Sequence, residues 1–368
     1  MSTRRRLVSG VVALLAALLL YLLFWPVPID PVAWDAPTNY GLVDPFAPND
    51  RLRKSVLIDL GEHNGPEDVA GGPDGHLYTG TSDGRILRIN PENRQVEVFA
   101  DTGGRPLGLE FDAAGNLIVA NAYLGLQRVS PDGTIDVLTD SYDGQPITYA
   151  DDVAVAADGM IYFSDASSKF GAFKSGGSYE ASLYDLLEHG GHGRVFSFDP
   201  GTGVTAIVMT DLNFANGVAV SDDQTFLVVN ETGTYRTLKH WLVGPQKGET
   251  DVLVDNLPGF PDNVNNGLNG RFWIGLVAPR NEVLDRLSGV PWLRKVVQRL
   301  PAAVRPKAVP SSHVIAVNEQ GEVLMNLQDT GARVPALTGV YESKTHLWLS
   351  SLFGNRVAGL DKRDLSNP

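Results

Sequence analysis

The side chains best suited to chemistry are carboxylates and amides that recur at one kind of position. Gly65-Pro66-Glu67-Asp68, Tyr149-Ala150-Asp151-Asp152, Phe214-Ala215-Asn216-Gly217 and Pro261-Asp262-Asn263 each stand just before a short apolar strand pattern. Any one of them alone reads as a turn or cap residue. Four in the same place before four repeats read as a set. If the fold brings these places together, Glu67, Asp151, Asn216, Asp262 and Asn263 form a ring of hard oxygen donors. Calcium takes about six to eight such ligands, whereas magnesium demands a tighter octahedron. The chemistry expected is that of a Ca²⁺ site.

Other chemistries find no support. The chain has no cysteine, which excludes thiol nucleophiles, disulfides, zinc-thiolate sites and iron–sulfur clusters. Gly-x-Ser-x-Gly, the phosphate-cradling Gly-x4-Gly-Lys-Ser/Thr, Gly-x-Gly-x-x-Gly and His-Glu-x-x-His are all missing. Seven histidines are scattered without metal-ligand spacing. His189 and His192 lie in a Gly-rich stretch and read more simply as solvated loop residues than as pocket residues. With 43 acidic against 30 basic residues the net charge is -13, the opposite of what a phosphate-neutralising surface needs, so no nucleic-acid partner is expected.

The elements that would position the ring are repeated. A turn followed by alternating large apolar residues and a small one occurs at Asp74–Gly80, Ala114–Ala120, Asp158–Ser164, Asp223–Val229, Asn269–Gly275 and Lys344–Ser350. Equivalent positions are 40, 44, 65, 46 and 75 residues apart. A four-stranded propeller blade needs roughly 40–50 residues, so two steps hold insertions. Most copies are followed by another strand with a basic or polar start, such as Gly84–Ile89, Gly193–Phe198 and Asn355–Leu360. The fold class expected is all-β, a six-bladed β-propeller over residues 51–368. The first strand of each blade lines the central channel, so the four acidic and amide clusters converge on the axis. The insertion at 166–192 is rich in Ser, Gly and Lys. The one at 278–310 reads as an amphipathic helix near 280–300, with Val283, Leu284, Leu287, Trp292, Leu293, Val296, Val297 and Leu300 apolar and Arg286, Arg294, Lys295 and Arg299 as a basic face. Such a segment caps the pocket, lies on a membrane surface or simply packs on the rim; the pattern does not choose.

The first thirty residues differ from the rest. Arg4, Arg5 and Arg6 precede an uncharged run from Leu7 to Phe24, which at about 1.5 Å per residue spans roughly 27 Å, near the thickness of a bilayer core. The run ends in Tyr21, Phe24 and Trp25, aromatics suited to the interface. Residues 1–28 are therefore expected to be a cytoplasmic stub and uncleaved transmembrane anchor, and 29–50 a linker. The arginines keep the N-terminus cytoplasmic, placing the propeller in a periplasmic or lumenal space.

Together these stretches resemble the strictosidine synthase-like branch of the calcium propellers, which includes the adipocyte plasma membrane-associated proteins and is related to gluconolactonase, regucalcin and the paraoxonases. Gly65-Pro66-Glu67, Arg105–Leu109, Asp151-Asp152 with Ser164–Ser167, Asn216–Ala219 and Leu257–Asn263 carry the resemblance, which runs from about Arg51 to Leu360. It implies Glu67, Asn216, Asp262 and Asn263 as ligands of a catalytic Ca²⁺. Asp151 falls where relatives usually carry Asn, adding a carboxylate that tightens binding and weakens the ion as a Lewis acid unless it is protonated or acts as a base. Asp68 and Asp152 match the positions of a second, structural calcium. Two departures narrow the activity. Leu107 stands where paraoxonases place a histidine, and Ala336–Tyr341 lacks the last-blade glutamate with which strictosidine synthase condenses amine and aldehyde. The function expected is Ca²⁺-dependent hydrolysis of a small-molecule ester or lactone, with Asp262 or Asp151 activating water. A non-catalytic calcium-stabilised binding propeller and a strictosidine synthase-type condensing lyase are the alternatives.

Overall fold

Each turn-and-strand unit of the sequence becomes the second strand of a four-stranded antiparallel sheet in the computed structural model, which describes residues 3–366. The six sheets are numbered here as blades 1 to 6 in chain order. Their first strands are Ala70–Gly71, Pro106–Phe111, Ala150–Val155, Ala215–Val220, Gly259–Asn266 and Leu337–Glu342. First strands of neighbouring blades pack against one another and form the inner wall. Blade 6 borrows its outermost strand from the beginning of the domain: Val56–Asp59 pairs antiparallel with Arg356–Asp361, Val56 lying opposite Gly359. This closure ties the two ends of the ring together and removes two sheet edges.

Apolar residues lie on both faces of each blade because each face meets a neighbour. Ile118, Val153, Phe163 and Phe196 fill the seam between blades 2 and 3, and Phe226, Val228, Val264 and Phe272 that between blades 4 and 5. A further cluster lies outside the seams, beneath the insertions, and joins Ile29, Leu107, Tyr149, Phe170, Leu187 and Phe214.

The apolar N-terminal run is helix α1, Thr3–Phe24, exposed along its length, and it is the only described helix long and apolar enough to cross a membrane. The first insertion holds α2, Ser178–Glu188, which ends with His189 in the left-handed conformation. The second holds α3, Glu282–Arg286, and α4, Pro291–Arg299. Asn281 caps α3 by accepting from the amides of Val283 and Leu284, and a proline opens α4. Residues 29–50 contain no helix or strand but are fastened across both insertions. Val32 N donates to the Glu188 carbonyl at 2.9 Å and Trp34 N to that of Ser288 at 3.2 Å, while the Trp34 ring stacks on His189 at 4.0 Å.

The expected basic face of the second insertion is not there. Arg294 and Arg299 are the buried residues of α4, because their guanidinium groups are consumed by main-chain carbonyls of other segments; only Arg286 and Lys295 reach solvent. His189 is likewise buried beneath Trp34 rather than solvated, and burial lowers its pKa to about 3, so it is neutral.

Candidate metal centre and its pocket

The inner strands carry one backbone device five times. Between Pro106 and Leu109, Ala150 and Val153, Ala215 and Val218, Pro261 and Val264, and Leu337 and Val340, three steps on the inner strand face two on its neighbour. Such β-bulges re-aim side chains and are common beside active sites. The residues inside them are Leu107-Gly108, Asp151-Asp152, Asn216-Gly217, Asp262-Asn263 and Thr338-Gly339. Glu67-Asp68 takes the corresponding place ahead of the short first strand of blade 1. The sequence-predicted donors are thus the bulge residues of blades 3, 4 and 5 and their counterpart in blade 1.

All five donors are buried: Glu67 is 2 % exposed, Asp151 4 %, Asn216 3 %, Asp262 6 % and Asn263 0 %. Four of their oxygens, Glu67 Oε2, Asp151 Oδ2, Asn216 Oδ1 and Asn263 Oδ1, have no hydrogen-bond partner at all. Buried oxygens in that condition cost roughly 1–3 kcal/mol each unless something else satisfies them. The amides are pre-oriented for that task. Asn216 Nδ2 donates to Asp262 Oδ1 at 2.7 Å and Asn263 Nδ2 to the Glu67 carbonyl at 3.1 Å, which leaves each carbonyl oxygen uncommitted. Asn230 Nδ2 donates to the carbonyls of Asp262 and Asn263 at 2.7 and 3.2 Å, pinning the blade 5 bulge, so this residue of an Asn-x-Thr tripeptide is buried and unavailable to glycosylation.

The electrostatics point the same way. Burial, then the charges of Asp262, Asp151 and Asp68, drives the Glu67 pKa well above the usual range, against the pull of Arg105. Burial and then Asp262 do the same to Asp151. Asp262 is raised to about 7, first by burial, with the Asn216 hydrogen bond opposing. Carboxylates crowded in this way need protons or a cation between them. Among the described residues no three His, Cys, Asp or Glu side chains meet closely enough to hold an ion alone. The donor set therefore depends on its amide oxygens, and as a mixed set of carboxylate and amide oxygens it fits a hard cation such as Ca²⁺.

Asp68 and Asp152 are built differently. Asp68 accepts from the amides of Val69 and Leu109 at 2.8 and 2.9 Å and from Asn265 Nδ2 at 3.2 Å; Asp152 accepts from those of Val153 and Val218 at 2.8 and 2.9 Å. Each oxygen already holds a donor, so the orphaned-oxygen argument does not extend to a second ion here. The contacts brace blade 1 to 2 and 3 to 4, and Asn265 Oδ1 accepts from Val340 N to brace 5 to 6. The second bulge residue alternates accordingly: Asp68, Asp152 and Asn263 on blades 1, 3 and 5, glycine on 2, 4 and 6. A Cβ on Gly108 would lie 2.3 Å from Asp152 Oδ1, and one on Gly217 2.2 Å from Val264 N.

Glu67, Asp151, Asn216 and Asp262 form the floor of a cavity of about 400 Å³. Leu107, Tyr149, Phe214 and Phe260 line it above them; Tyr179, Leu183 and Leu187 from the first insertion and Leu284, Val297 and Ala308 from the second complete it. Sequence reasoning missed two polar members of this environment. Arg105, 3 % exposed, donates to the Gly65 carbonyl at 2.9 Å and is the buried cation facing Glu67. The Tyr149 hydroxyl donates to the Ser178 carbonyl at 2.7 Å, tying the floor to the first insertion. Their one signal was location, Arg105 at the entrance of blade 2 and Tyr149 two residues before Asp151.

Comparisons agree with this architecture. Residues 151–245 match the strictosidine synthase family and residues 44–89 the N-terminal region of strictosidine synthase-like proteins. Protein strictosidine synthase-like 6 of Arabidopsis thaliana is 35 % identical over 317 residues, covering 84 % of this chain and 82 % of its own. The adipocyte plasma membrane-associated protein of Salmo salar is 33 % identical over 347 residues, covering 87 % and 80 %. A gluconolactonase from Xanthomonas campestris matches the fold with a TM-score of 0.61 at 18 % identity, over 91 % of this chain and 96 % of that one. A calcium-binding protein, regucalcin, from Agrobacterium tumefaciens does so with 0.57 at 12 %, over 83 % and 93 %.

Proposed function

Since the chain belongs to the strictosidine synthase-like family, we propose that it is a Ca²⁺-dependent hydrolase of esters or lactones, held to a membrane by α1. The observation that carries this reading is the set of buried, partnerless oxygens of Glu67, Asp151 and Asn216 on residues lining a largely apolar pocket, with that of Asn263 on the residue next to Asp262. Glu67, Asp151, Asn216, Asp262 and Asn263 are the residues assigned to hold the ion. Bound there, calcium supplies positive charge that polarises a carbonyl and stabilises the oxyanion.

The chain's own residues do the rest. Asp262, oriented by Asn216, takes a proton from water as the water oxygen bonds to the carbonyl carbon. The carbon–oxygen bond to the alcohol then breaks, and the alcohol leaves with that proton. Leu107, Phe214 and Phe260 exclude bulk water and hold the apolar part of the substrate. A condensing role is disfavoured because the inner strand of blade 6 offers Leu337, Thr338 and Gly339 at its bulge, with no carboxylate.

Membrane attachment is supported by the length of α1 and by the name of a plasma membrane-associated relative. Arg4, Arg5 and Arg6 mark the cytoplasmic end, and the propeller lies across the bilayer from them. The test is turnover of a panel of lactones and aryl esters by the full chain in detergent, with calcium and with chelator. Chelator-sensitive turnover is expected; calcium binding with no turnover on the whole panel would instead make the protein a binding propeller.

A further inference from the structure

Helix α4 is inside out. Its buried residues are Arg294 and Arg299, while Trp292 is 59 % exposed. Both buried arginines are bonded to main-chain carbonyls of the protein. Arg294 donates to the carbonyls of Val32, Leu187, Glu188 and Ser288. Arg299 reaches across to the membrane-length helix: its Nε donates to the Trp25 carbonyl at 2.6 Å and its Nη1 to that of Leu22 at 2.9 Å, while the Tyr21 hydroxyl donates to the Arg299 carbonyl at 3.0 Å. These bonds satisfy carbonyls that a helix C-terminus leaves open and set a cation at the negative end of its dipole.

The consequence is geometric. At about 1.5 Å per residue, α1 is roughly 33 Å long and fills a bilayer core, so its C-terminal end lies at one membrane surface. Tyr21 and Trp25 at that end are interfacial residues. Because α4 is bonded directly to it, α4 stands within a side chain's length of the headgroups. The same helix places Val297 and Gln298 in the lining of the pocket, and the segment after it exposes Val304 (64 %) and Val309 (59 %), Val309 also lining the pocket. Exposed apolar side chains, Trp292, Val304 and Val309, beside a membrane-length helix have lipid as their natural occupant.

We propose that α4 lies in the membrane interface and that the pocket receives a lipophilic ester from the bilayer rather than from water. This rests on reading α1 as an anchor and the pocket as hydrolytic; a wild-type chain that turns over neither ester below overturns the hydrolytic reading and delivery with it, while the label at 292 still decides the place of α4.

The absence of cysteine allows single labels. Full-length chains carrying Trp292→Cys, Leu15→Cys or Val98→Cys, each with a nitroxide, are reconstituted in phosphatidylcholine vesicles. Val98 is 51 % exposed on the outer strand of blade 1 and serves as the aqueous reference. The label at 292 should be several-fold more accessible to oxygen than to a water-soluble nickel chelate when referenced to 98. A label at 292 as wet as at 98, with 15 in lipid, overturns the interfacial helix alone; a wet label at 15 overturns the anchor and this proposal with it. For delivery, Trp292→Glu should cut hydrolysis of vesicle-borne 4-nitrophenyl palmitate about tenfold and leave soluble 4-nitrophenyl acetate unchanged. Equal loss on both substrates, or loss on neither, overturns delivery from lipid.

Discussion

The inner strands of blades 2 and 3 pass through the same bulge, yet blade 3 places Asp151 in the pocket floor and blade 2 places Leu107 in its wall. The backbone device is common to both, so the difference lies wholly in residue type. At the next residue the difference is one of bracing. Asp152 on blade 3 grips the Val218 amide of blade 4, whereas Gly108 on blade 2 leaves the space that the Asp152 carboxylate occupies. On blades 1 and 3 adjacent residues thus have separate tasks, the first facing the pocket and the second, Asp68 or Asp152, holding the next blade, whereas on blade 5 both Asp262 and Asn263 belong to the donor set. Fold and function can then be perturbed one residue apart.

The largest expected effect is at the first position. Asp262→Asn should reduce ester or lactone turnover by about 100-fold or more while the folded state persists, the loss typical of removing a general base; steady-state rates beside a thermal melt would show both. Unchanged turnover would remove Asp262 from the chemistry. Next, Asp151→Asn deletes one of three floor carboxylates and should weaken calcium affinity roughly tenfold, about 1.4 kcal/mol. Leu107→Asn, at the equivalent bulge of blade 2, should leave affinity within a factor of about two, since Leu107 is no member of the donor set; calorimetric titration compares them. Equal losses would erase the distinction between the two blades.

The second position should answer in stability. Asp152→Leu removes two buried acceptor contacts and should cost about 3 kcal/mol by denaturant unfolding. Gly289→Ala, with nothing within 4 Å of the added carbon, should be nearly neutral, whereas Gly217→Ala at 2.2 Å from a backbone nitrogen should be severe.

A further effect lies outside the ring. Burial raises the Asp185 pKa to about 7, against the pull of the Ser167 hydrogen bond. A carboxyl raised in the folded state costs stability as pH climbs from its unfolded value near 4 towards 7, each unit being worth about 1.4 kcal/mol. Asp185→Asn lacks that cost, so its stability relative to wild type should improve between pH 5 and pH 8. A pH-independent gap would contradict it.

The six repeats, the two insertions and the clusters at the blade entrances were legible because they depend on local pattern: a turn signal, alternation, and a carboxylate or amide just before a strand. The bulges were not, since a bulge is a relation between two strands. Arg294 and Arg299 misled for a similar reason. Guanidinium groups spaced along a helix look like a solvent face, and only the carbonyls of Val32, Leu187, Leu22 and Trp25, brought in from distant segments, make them interior. The bracing role of Asp68 and Asp152 was hidden in the same way, since the amides of Leu109 and Val218 that they bind belong to other blades.

The most direct measurement is a crystal structure of the full chain grown with calcium. One ion should appear on the floor of the pocket with oxygens of Glu67, Asp151, Asn216, Asp262 and Asn263 about 2.3–2.6 Å away. A floor empty of metal at saturating calcium, with those five side chains paired to one another instead, would contradict the account.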